Sequence, residues 1–519
     1  MENNTHHKNL RTIAKGTGIV FLGVLAGKAV DFITRLIVAR NLGPDYFGLL
    51  TLGLSIFWIA TNLSVLGFGY GVIRYVAYYK GKKRNDKINN IIVSSLKIVI
   101  PISIIFLFLF LFFSNQISSF FAKPELAQIL QIMSFAVPSY AFAIILFSVM
   151  KGFQNMKFKV LSEDLFRNLS AIVLIAIFLF FGFGLVGTSL SYLLSFVGTM
   201  VLSLYIVKKK IMPKINFFDK STISRELLIF TLPMSLTAIT GLVIRWADTL
   251  FLGYFTTASA VGIYNSALLI ASLIAVFEES FNQVFVPALT DIYSRNKLND
   301  LKNIYKASTR WIFLIIIPIL LMMLFFPLQI LSLFFGKKYI EATIPLMILS
   351  IGYAFNTLFS LSIYVIICIG KTKKIFLISL IASIVDVILN ILLIPVLGIV
   401  GSAISTSASL AMVSLISLAY TYKCIKTQPF DFRYIKLFSA SILSILLIYG
   451  LVSLFSAEIG RFDIILIFPA FILLYIFLLI IMRGLSEEDI MILKAIEKKT
   501  GIKIPFLDKI AKRFVHNSK

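Results

Sequence analysis

Three charged residues lie at helical spacing inside the first long apolar run of the chain: Lys28, Asp31 and Arg35. At 100° per residue they fall within an arc of about 60°, so they form one stripe on a helix. A charge near a bilayer centre costs about 2.5–3.5 kcal/mol on insertion scales, so such a stripe does not face lipid. We expect it to line a polar cavity. An internal ion pair of Asp31 with Lys28 or Arg35 that only fixes packing is the alternative, and both can hold.

Acidic side chains also occur deep in later apolar runs. Glu278 and Glu279 are adjacent, and Asp386 precedes Asn390 by one helical turn. Buried carboxylates of this kind can bind a coupling H+ or Na+. One glutamate of an adjacent pair can also face an inner vestibule without a role.

Other charges stand at the predicted ends of apolar runs. Arg74 ends the second run, where it can hold an anionic headgroup or extend its guanidinium to the interface. Glu163, Asp164 and Arg167 open the fifth run, and we interpret them as boundary charges.

The composition identifies the solvent of this chain as a bilayer. Of its 519 residues, 59% are hydrophobic and only 14% are charged. A soluble domain cannot bury that much apolar surface. A spanning helix needs about 20 apolar residues. Fourteen such segments occur, near residues 16–38, 46–73, 91–113, 127–150, 160–182, 184–207, 226–252, 258–286, 311–332, 341–369, 375–396, 398–422, 435–455 and 463–482.

One fixed shift of 214 residues relates the first half of the chain to the second. Residues 117–123 (ISSFFAK) superpose on 331–337 (LSLFFGK), and the same shift lays Gly27 on Gly241 and Gly48 on Gly262. Two copies of one six-span unit, in the same orientation, are predicted.

The shift also places Arg245, which is followed by Asp248 at i+3, on the equivalent of Asp31. We therefore expect Asp31 and Arg245 to pair across the halves toward the outer side and to part on opening, with Asp248 beside this gate.

The net charge of +25 does not indicate nucleic acid, because the Lys and Arg residues alternate from loop to loop. With a cytoplasmic N-terminus, most of the 49 fall on the inner side, as the positive-inside rule requires. The outer loops carry only Arg40, Lys123, Lys337, Lys338 and Arg461. The pattern predicts cytoplasmic N- and C-termini.

The expected fold is all-α and polytopic, with two six-helix bundles from a parallel internal repeat and two extra C-terminal helices. The predicted regions are a lead (1–15), a first bundle (16–207), a basic linker (208–225), a second bundle (226–422), two further helices (435–482) and an amphipathic cytoplasmic tail (484–519).

The chain lacks the patterns of several enzyme classes. No phosphate-loop sequence, HExxH or CxxC cluster occurs, and the predicted outer loops are short. We expect no enzyme activity, no cofactor and no metal site. An integral glycan-assembly enzyme or scaffold is the rival from a different class, and a catalytic acid on the outer side would favour it.

A family resemblance is carried by residues 34–48 (TRLIVARNLGPDYFG) and 66–75 (LGFGYGVIRY), together with Gly152-Phe153-Gln154 and Pro287. These segments resemble polysaccharide exporters, the flippases of oligosaccharide-linked lipids in the multidrug/oligosaccharidyl-lipid/polysaccharide exporter superfamily. The resemblance implies two bundles around a central cavity and alternating access. It also implies that cations of the first span, here Lys28 and Arg35 with Arg74, hold a substrate pyrophosphate.

The predicted function is therefore a flippase that moves a polyprenyl-pyrophosphate oligosaccharide from the inner to the outer leaflet of the cytoplasmic membrane. Expected partners are that glycan, membrane lipids, glycan-assembly enzymes and H+ or Na+. A cation-coupled multidrug exporter of the same superfamily is the alternative.

Overall fold

Long α-helices dominate the computed structural model of the chain. The structure describes residues 2–212, 216, 224–295, 297–430, 433–455 and 460–482. Side chains are described from residue 22 onward, except at 277, 279–284, 287, 288, 291, 433 and 455. The predicted tail (484–519) and most of the basic linker (208–225) lie outside these residues, whereas the backbone of the predicted lead is helical from Glu2.

The helices are α1 (Glu2–Val65), α2 (Phe68–Gly81), α3 (Asn85–Phe120), α4 (Leu126–Ser134), α5 (Ala136–Gly152), α6 (Met156–Lys159), α7 (Arg167–Phe180), α8 (Gly184–Ile206), α9 (Arg225–Phe255), α10 (Ala258–Ser294), α11 (Leu298–Phe325), α12 (Pro327–Phe334), α13 (Thr343–Phe359), α14 (Leu361–Cys368), α15 (Thr372–Leu397), α16 (Ile399–Ile425), α17 (Arg433–Phe455) and α18 (Ile464–Ile481). Val160–Phe166 and Val207–Ile211 are π-helical, and Lys337–Ala342 forms a 3₁₀ helix.

Glycine in a positive-φ conformation divides the helices where the sequence places tight turns. Gly43 (φ 79°, ψ 177°) separates α1 into a first part, 2–42, and a second part, 44–65. Gly182 (φ 78°) follows α7, and Gly398 (φ 57°) follows α15. These turns confirm the predicted breaks after the first, fifth and eleventh spans, because residues with a Cβ rarely adopt such φ values.

The two halves of the chain meet tightly at a pair of glycines. A Cβ built on Gly48 would lie 2.8 Å from the nitrogen of Gly262, and one built on Gly262 would lie 3.0 Å from the nitrogen of Gly48. The first would also collide with the Ala258 carbonyl, and the second with the Pro44 carbonyl. Both pairs are related by the shift of 214 residues, so these contacts are those of a two-fold axis between the glycines.

Cationic side chains join the halves at the predicted outer end. The ammonium of Lys123, which is buried, donates to the carbonyls of Gly253 and Thr256 at the end of α9, the latter at 2.8 Å. Arg40 Nε donates to the Phe334 carbonyl at 2.6 Å and Nη2 to the Leu333 carbonyl, at the end of α12. A cation of each half therefore caps a helix C-terminus of the other half, where carbonyl groups have no intrahelical donors.

Helix α2 packs along α9 toward the predicted inner end. Tyr79 donates a 2.8 Å hydrogen bond to Glu226 Oε2, and Tyr75 donates to the Glu226 carbonyl at 3.2 Å. The bond to Glu226 raises the pKa of Tyr79 to about 12, so the phenol is a donor at neutral pH. Helices α17 and α18 pack outside the second half on α11, through Tyr434 on Phe313 and the bond from Tyr475 to the Leu314 carbonyl.

The prediction of an all-α multi-pass membrane protein is confirmed, but the count of fourteen spans is not. In the described residues eleven helices are long and apolar enough to cross a membrane, or twelve with the pair α4 and α5, which is bent by 48°. The remaining differences have local causes. The first two predicted spans form one bent helix, α1, and the fifth is divided by the π-helical segment 160–166.

Candidate functional site

A basic cluster, which we define as Arg35, Arg167, Tyr140, Tyr192 and Trp58, lies inside the first half. Asp31 accepts a 3.1 Å bond from Arg35 Nε, so the charged stripe on α1 contains an internal ion pair. The side chains of both residues are about 30% exposed (27% and 32%), which leaves this pair open to a polar space. Asp31, Tyr192 and Arg167 all lie within electrostatic range of Arg35.

Arg167 is the residue of this cluster that the sequence analysis missed. Its Nη1 donates to the Tyr140 hydroxyl at 3.1 Å, and its guanidinium lies 5.8 Å from the centre of the Trp58 ring. The prediction that Arg167 is a boundary charge is therefore wrong. Its position at the start of an apolar run gave no signal, because interface cations occupy the same position.

The π-helical segment 160–166 positions Arg167 beside α1. Asn168 donates to the Gly27 carbonyl at 2.8 Å, and a Cβ on Gly27 would lie 2.6 Å from the Asp164 carbonyl oxygen. Lys159 pairs with Asp164 at 2.8 Å and with Glu163 at 3.1 Å on the inner side of this contact. π-Helical turns are rare and often mark functional sites. Here the turn brings α7 into contact with the charged stripe.

The other cations predicted to bind substrate occupy different positions. Lys28 is partly buried one turn before Asp31. Arg74 is exposed on α2, where its guanidinium lies 4.3 Å from the Phe230 ring centre on α9. Arg74 is thus part of the α2–α9 contact and makes no recorded contact with the basic cluster.

An acidic cluster, which we define as Asp248, Asp386, Asn390, Tyr264 and Thr406, lies inside the second half. Asp248 is 2% exposed and accepts a 2.8 Å bond from the Tyr264 hydroxyl and a 2.6 Å bond from the Thr249 amide. Tyr264 is also 3.1 Å from the Thr406 hydroxyl. Asp248 therefore belongs to a buried polar network of α9, α10 and α16.

Asp386 and Asn390 on α15 complete the acidic cluster. Both are almost fully buried, and the Asp248 carboxylate lies within electrostatic range of Asp386. Ser409 donates to Asp386 Oδ1 at 3.0 Å, whereas Asp386 Oδ2 and Asn390 Oδ1 have no hydrogen-bond partner among the described residues. Buried polar atoms are normally paired, so two unpaired acceptor oxygens beside a second carboxylate are suited to a cation or a proton.

The predicted pair between Asp31 and Arg245 is not formed in this structure. Asp31 pairs with Arg35, and Arg245 is exposed, three residues before the buried Asp248. Although Arg245 and Asp248 are only about 60° apart on a helix, Asp248 turns toward Tyr264 and away from the predicted gate. Pairing of Asp31 with Arg245 in another conformation stays a prediction.

Glu278 does not join the acidic cluster through any recorded contact. Its Oε2 accepts a 3.4 Å bond from Thr357 on α13, a different neighbour from those of Asp386. The side chain of Glu279 lies outside the described residues. The predicted ion-coupling residues thus form at least two separate groups.

The helices and the two polar clusters define a multi-pass membrane protein of the transporter class. The sequence model of the polysaccharide biosynthesis protein family matches residues 13–293, and that of the lipid II flippase MurJ matches residues 245–474. The chain belongs to the polysaccharide biosynthesis protein family, within the superfamily predicted from its sequence. The family prediction is therefore confirmed.

Relatives extend over much of the chain. An uncharacterized membrane protein of Methanocaldococcus jannaschii is 25% identical over 69% of this chain and 73% of its own length. Stage V sporulation protein B of Bacillus subtilis is 25% identical over 56% of this chain and 60% of its own length. The inward closed structure of the lipid II flippase MurJ superposes with a TM-score of 0.72, at 18% identity, over 88% of this chain and 97% of that one. This last likeness shows the fold.

Proposed function

We propose that this protein is a flippase that moves a polyprenyl-pyrophosphate oligosaccharide from the inner to the outer leaflet by alternating access. The product would supply the assembly of cell-surface polysaccharide or glycoprotein, together with glycan-assembly enzymes. Membership of the polysaccharide biosynthesis protein family supports the substrate class. The observation that carries the proposal for this chain is the basic cluster inside the first half.

The basic cluster has donors to spare for an anionic headgroup. Among the described residues, Arg35 uses only Nε, on Asp31, and Arg167 uses Nε on Asn168 and Nη1 on Tyr140. Both Nη groups of Arg35 and Nη2 of Arg167 remain. Guanidinium groups bind phosphate oxygens through paired hydrogen bonds, and a dry site strengthens such bonds. Lys28 and Arg74 would serve the same anion along its path.

The chemistry of a lipid-linked glycan explains why an enclosed polar space is needed. The polyprenyl tail is stable in the bilayer, but the pyrophosphate and sugars cannot cross it. A cavity that is polar inside and open at the side lets the headgroup pass while the tail stays in lipid. The ion pair of Asp31 and Arg35 keeps the stripe on α1 compensated until the anion arrives.

The acidic cluster would supply the energy coupling. Asp248 and Asp386 are two buried carboxylates with Asn390 beside them and no ion-paired cation among the described residues. Binding of H+ or Na+ would neutralise part of this charge, and the two conformations would differ in affinity for that ion. Glu278 and Glu279 are a second candidate group. Transport by the purified protein in vesicles, with either gradient imposed, identifies the ion.

The proposed location is the cytoplasmic membrane, with both termini in the cytoplasm. The experiment that tests the function is mass spectrometry of lipid-linked glycans and surface glycan in cells with and without the protein. We expect full-length lipid-linked oligosaccharide to accumulate and surface glycan to fall when the protein is absent. Unchanged glycan pools together with retention of cationic drugs would overturn the proposal in favour of a cation-coupled multidrug exporter.

A further inference from the structure

A basic pocket of about 460 Å³ opens at the predicted outer end of the molecule. Its cations are Arg40, Lys337, Lys338 and Arg461, and the rings of Phe335 and Phe462 complete its wall. The charge pattern assigns only five cations to the outer loops, the fifth being Lys123. Four of these five thus line a single pocket, although nothing in the positive-inside rule groups them.

The charges of this pocket are not consumed by acidic neighbours. Among the described residues none of its four cations forms an ion pair. The nearby carboxylate of Asp463 accepts instead from the Gly460 amide, at 2.7 Å. Arg461 lies 4.7 Å from the Phe462 ring centre, which orients its guanidinium without neutralising it. Clustered cations beside low-dielectric walls concentrate anions.

The internal repeat provides a comparison within the same molecule. At the equivalent corner of the first half, Tyr254 replaces Arg40, and Pro124 replaces Lys338. Its single lysine, Lys123, is buried on helix carbonyls. The fold therefore does not require a basic pocket at this corner, and its cations need another explanation.

Three separate parts of the chain build the pocket. Arg40 comes from the end of the first part of α1, the lysines follow α12, and Arg461 precedes α18. Arg40 also donates to the Phe334 and Leu333 carbonyls, so it contributes to the pocket and to the closure of the outer end at once. Separation of α1 from α12 would take the pocket apart.

We propose that this pocket binds a phosphate oxyanion at the outer membrane surface and thereby stabilises the outer-closed conformation. The oxyanion has two sources: the pyrophosphate of the polyprenyl carrier, released after transport, and the phosphate of an anionic phospholipid. The first source rests on the proposed flippase function, whereas the binding of an oxyanion does not. Ligand binding to one conformation stabilises it by mass action.

The test measures binding of inorganic pyrophosphate and of farnesyl pyrophosphate to the full-length protein in nanodiscs of neutral lipid. The variant is K337Q/K338Q. The matched control is K373Q/K374Q, an adjacent pair of exposed lysines that the charge pattern assigns to the opposite end. We expect the dissociation constant for pyrophosphate to rise about tenfold in the variant only, because two charge-assisted contacts are lost. Binding should also weaken with salt.

Each outcome decides a separate point. Equal pyrophosphate binding by wild type, variant and control overturns the oxyanion site. Loss of binding in the variant only supports it. Tighter binding of farnesyl pyrophosphate than of pyrophosphate supports the carrier as the source, whereas displacement of pyrophosphate by phosphatidylglycerol in the nanodisc, with no gain from the farnesyl chain, supports the phospholipid. Failure of the flippase proposal would appear only in the cellular glycan measurements.

Discussion

Gly48 and Gly262 are in backbone contact across the middle of the molecule, and each occupies the position that the other has in its own half. The Cβ that either residue lacks would lie within about 3 Å of the other's amide nitrogen. Small residues permit such close approach of membrane helices. The contact therefore fixes where α1 and α10 cross.

We expect Gly48→Ala to weaken this crossing. Its Cβ would collide with the Ala258 carbonyl, which belongs to a helix backbone and cannot turn aside. Overpacking of this kind costs about 1–3 kcal/mol. Thermal unfolding in detergent measures the loss. Gly241→Ala is the matched control, since a Cβ there meets nothing within 4 Å; an equal loss in both variants would contradict the role of the contact.

Lys123→Met should destabilise the outer closure. The substitution leaves the carbonyls of Gly253 and Thr256 without their donor, and a buried acceptor without a partner costs about 1–3 kcal/mol. The readout is again the unfolding temperature, compared with Lys338→Met, which removes an exposed lysine that makes no hydrogen bond in the described structure. If both variants unfold at the wild-type temperature, the cap on α9 has no energetic role.

Arg167→Gln should impair transport without unfolding the protein. One charge-assisted contact to an anionic headgroup corresponds to a loss of about tenfold or more in substrate affinity. Accumulated lipid-linked glycan, measured in cells at equal protein level, gives the effect. Arg84→Gln removes an exposed arginine paired with Asp86 and should behave as wild type. Normal glycan pools with Arg167→Gln would remove this residue from the substrate path.

Asp386→Asn should abolish the dependence of transport on its coupling ion. The amide keeps the shape of the side chain and removes its charge, so Asn390 and Ser409 keep a neighbour of the same size. Transport by vesicles with an imposed H+ or Na+ gradient is the measurement, and Asp86→Asn, an exposed acid, is the control. A gradient response like that of the wild type would exclude the acidic cluster as the coupling site.

Cys424 allows a direct test of the predicted orientation. It is exposed at the predicted inner end of α16, whereas Cys368 is buried. A membrane-impermeant maleimide should label inside-out vesicles and spare intact cells. Cys424→Ser should remove the label. Labelling of intact cells would invert the topology and place the basic pocket on the cytoplasmic side.

The sequence predicts those features that depend on local pattern. Helical spacing places Asp31 and Arg35 on one face, and the fixed shift pairs Gly48 with Gly262. Charge alternation brings Arg40 and Lys337 to one end. Each of these relations follows from the period of a helix or from the bilayer, so no knowledge of packing is needed.

The sequence does not predict those features that depend on which helices touch. Arg167 becomes part of the basic cluster because a π-helical turn, invisible in composition, sets α7 against α1. Asp248 leaves Arg245 because the Tyr264 hydroxyl, 16 residues away on α10, is its partner. Neither choice can be read from hydropathy, since both charges stand in ordinary apolar surroundings along the chain.

The bend at Gly43 gives the first part of α1 the geometry of a lever. Gly43 and Thr256 (φ −132°, ψ −174°) leave the helical conformation at matching places in the two halves, just beside the Gly48–Gly262 contact. Asp31 stands 12 residues from this fulcrum, about 18 Å along the helix axis. A rotation of about 10° would therefore move its carboxylate by about 3 Å, the length of a hydrogen bond. Small angular changes near the fixed crossing point are thus amplified into the making and breaking of polar contacts deep in the membrane.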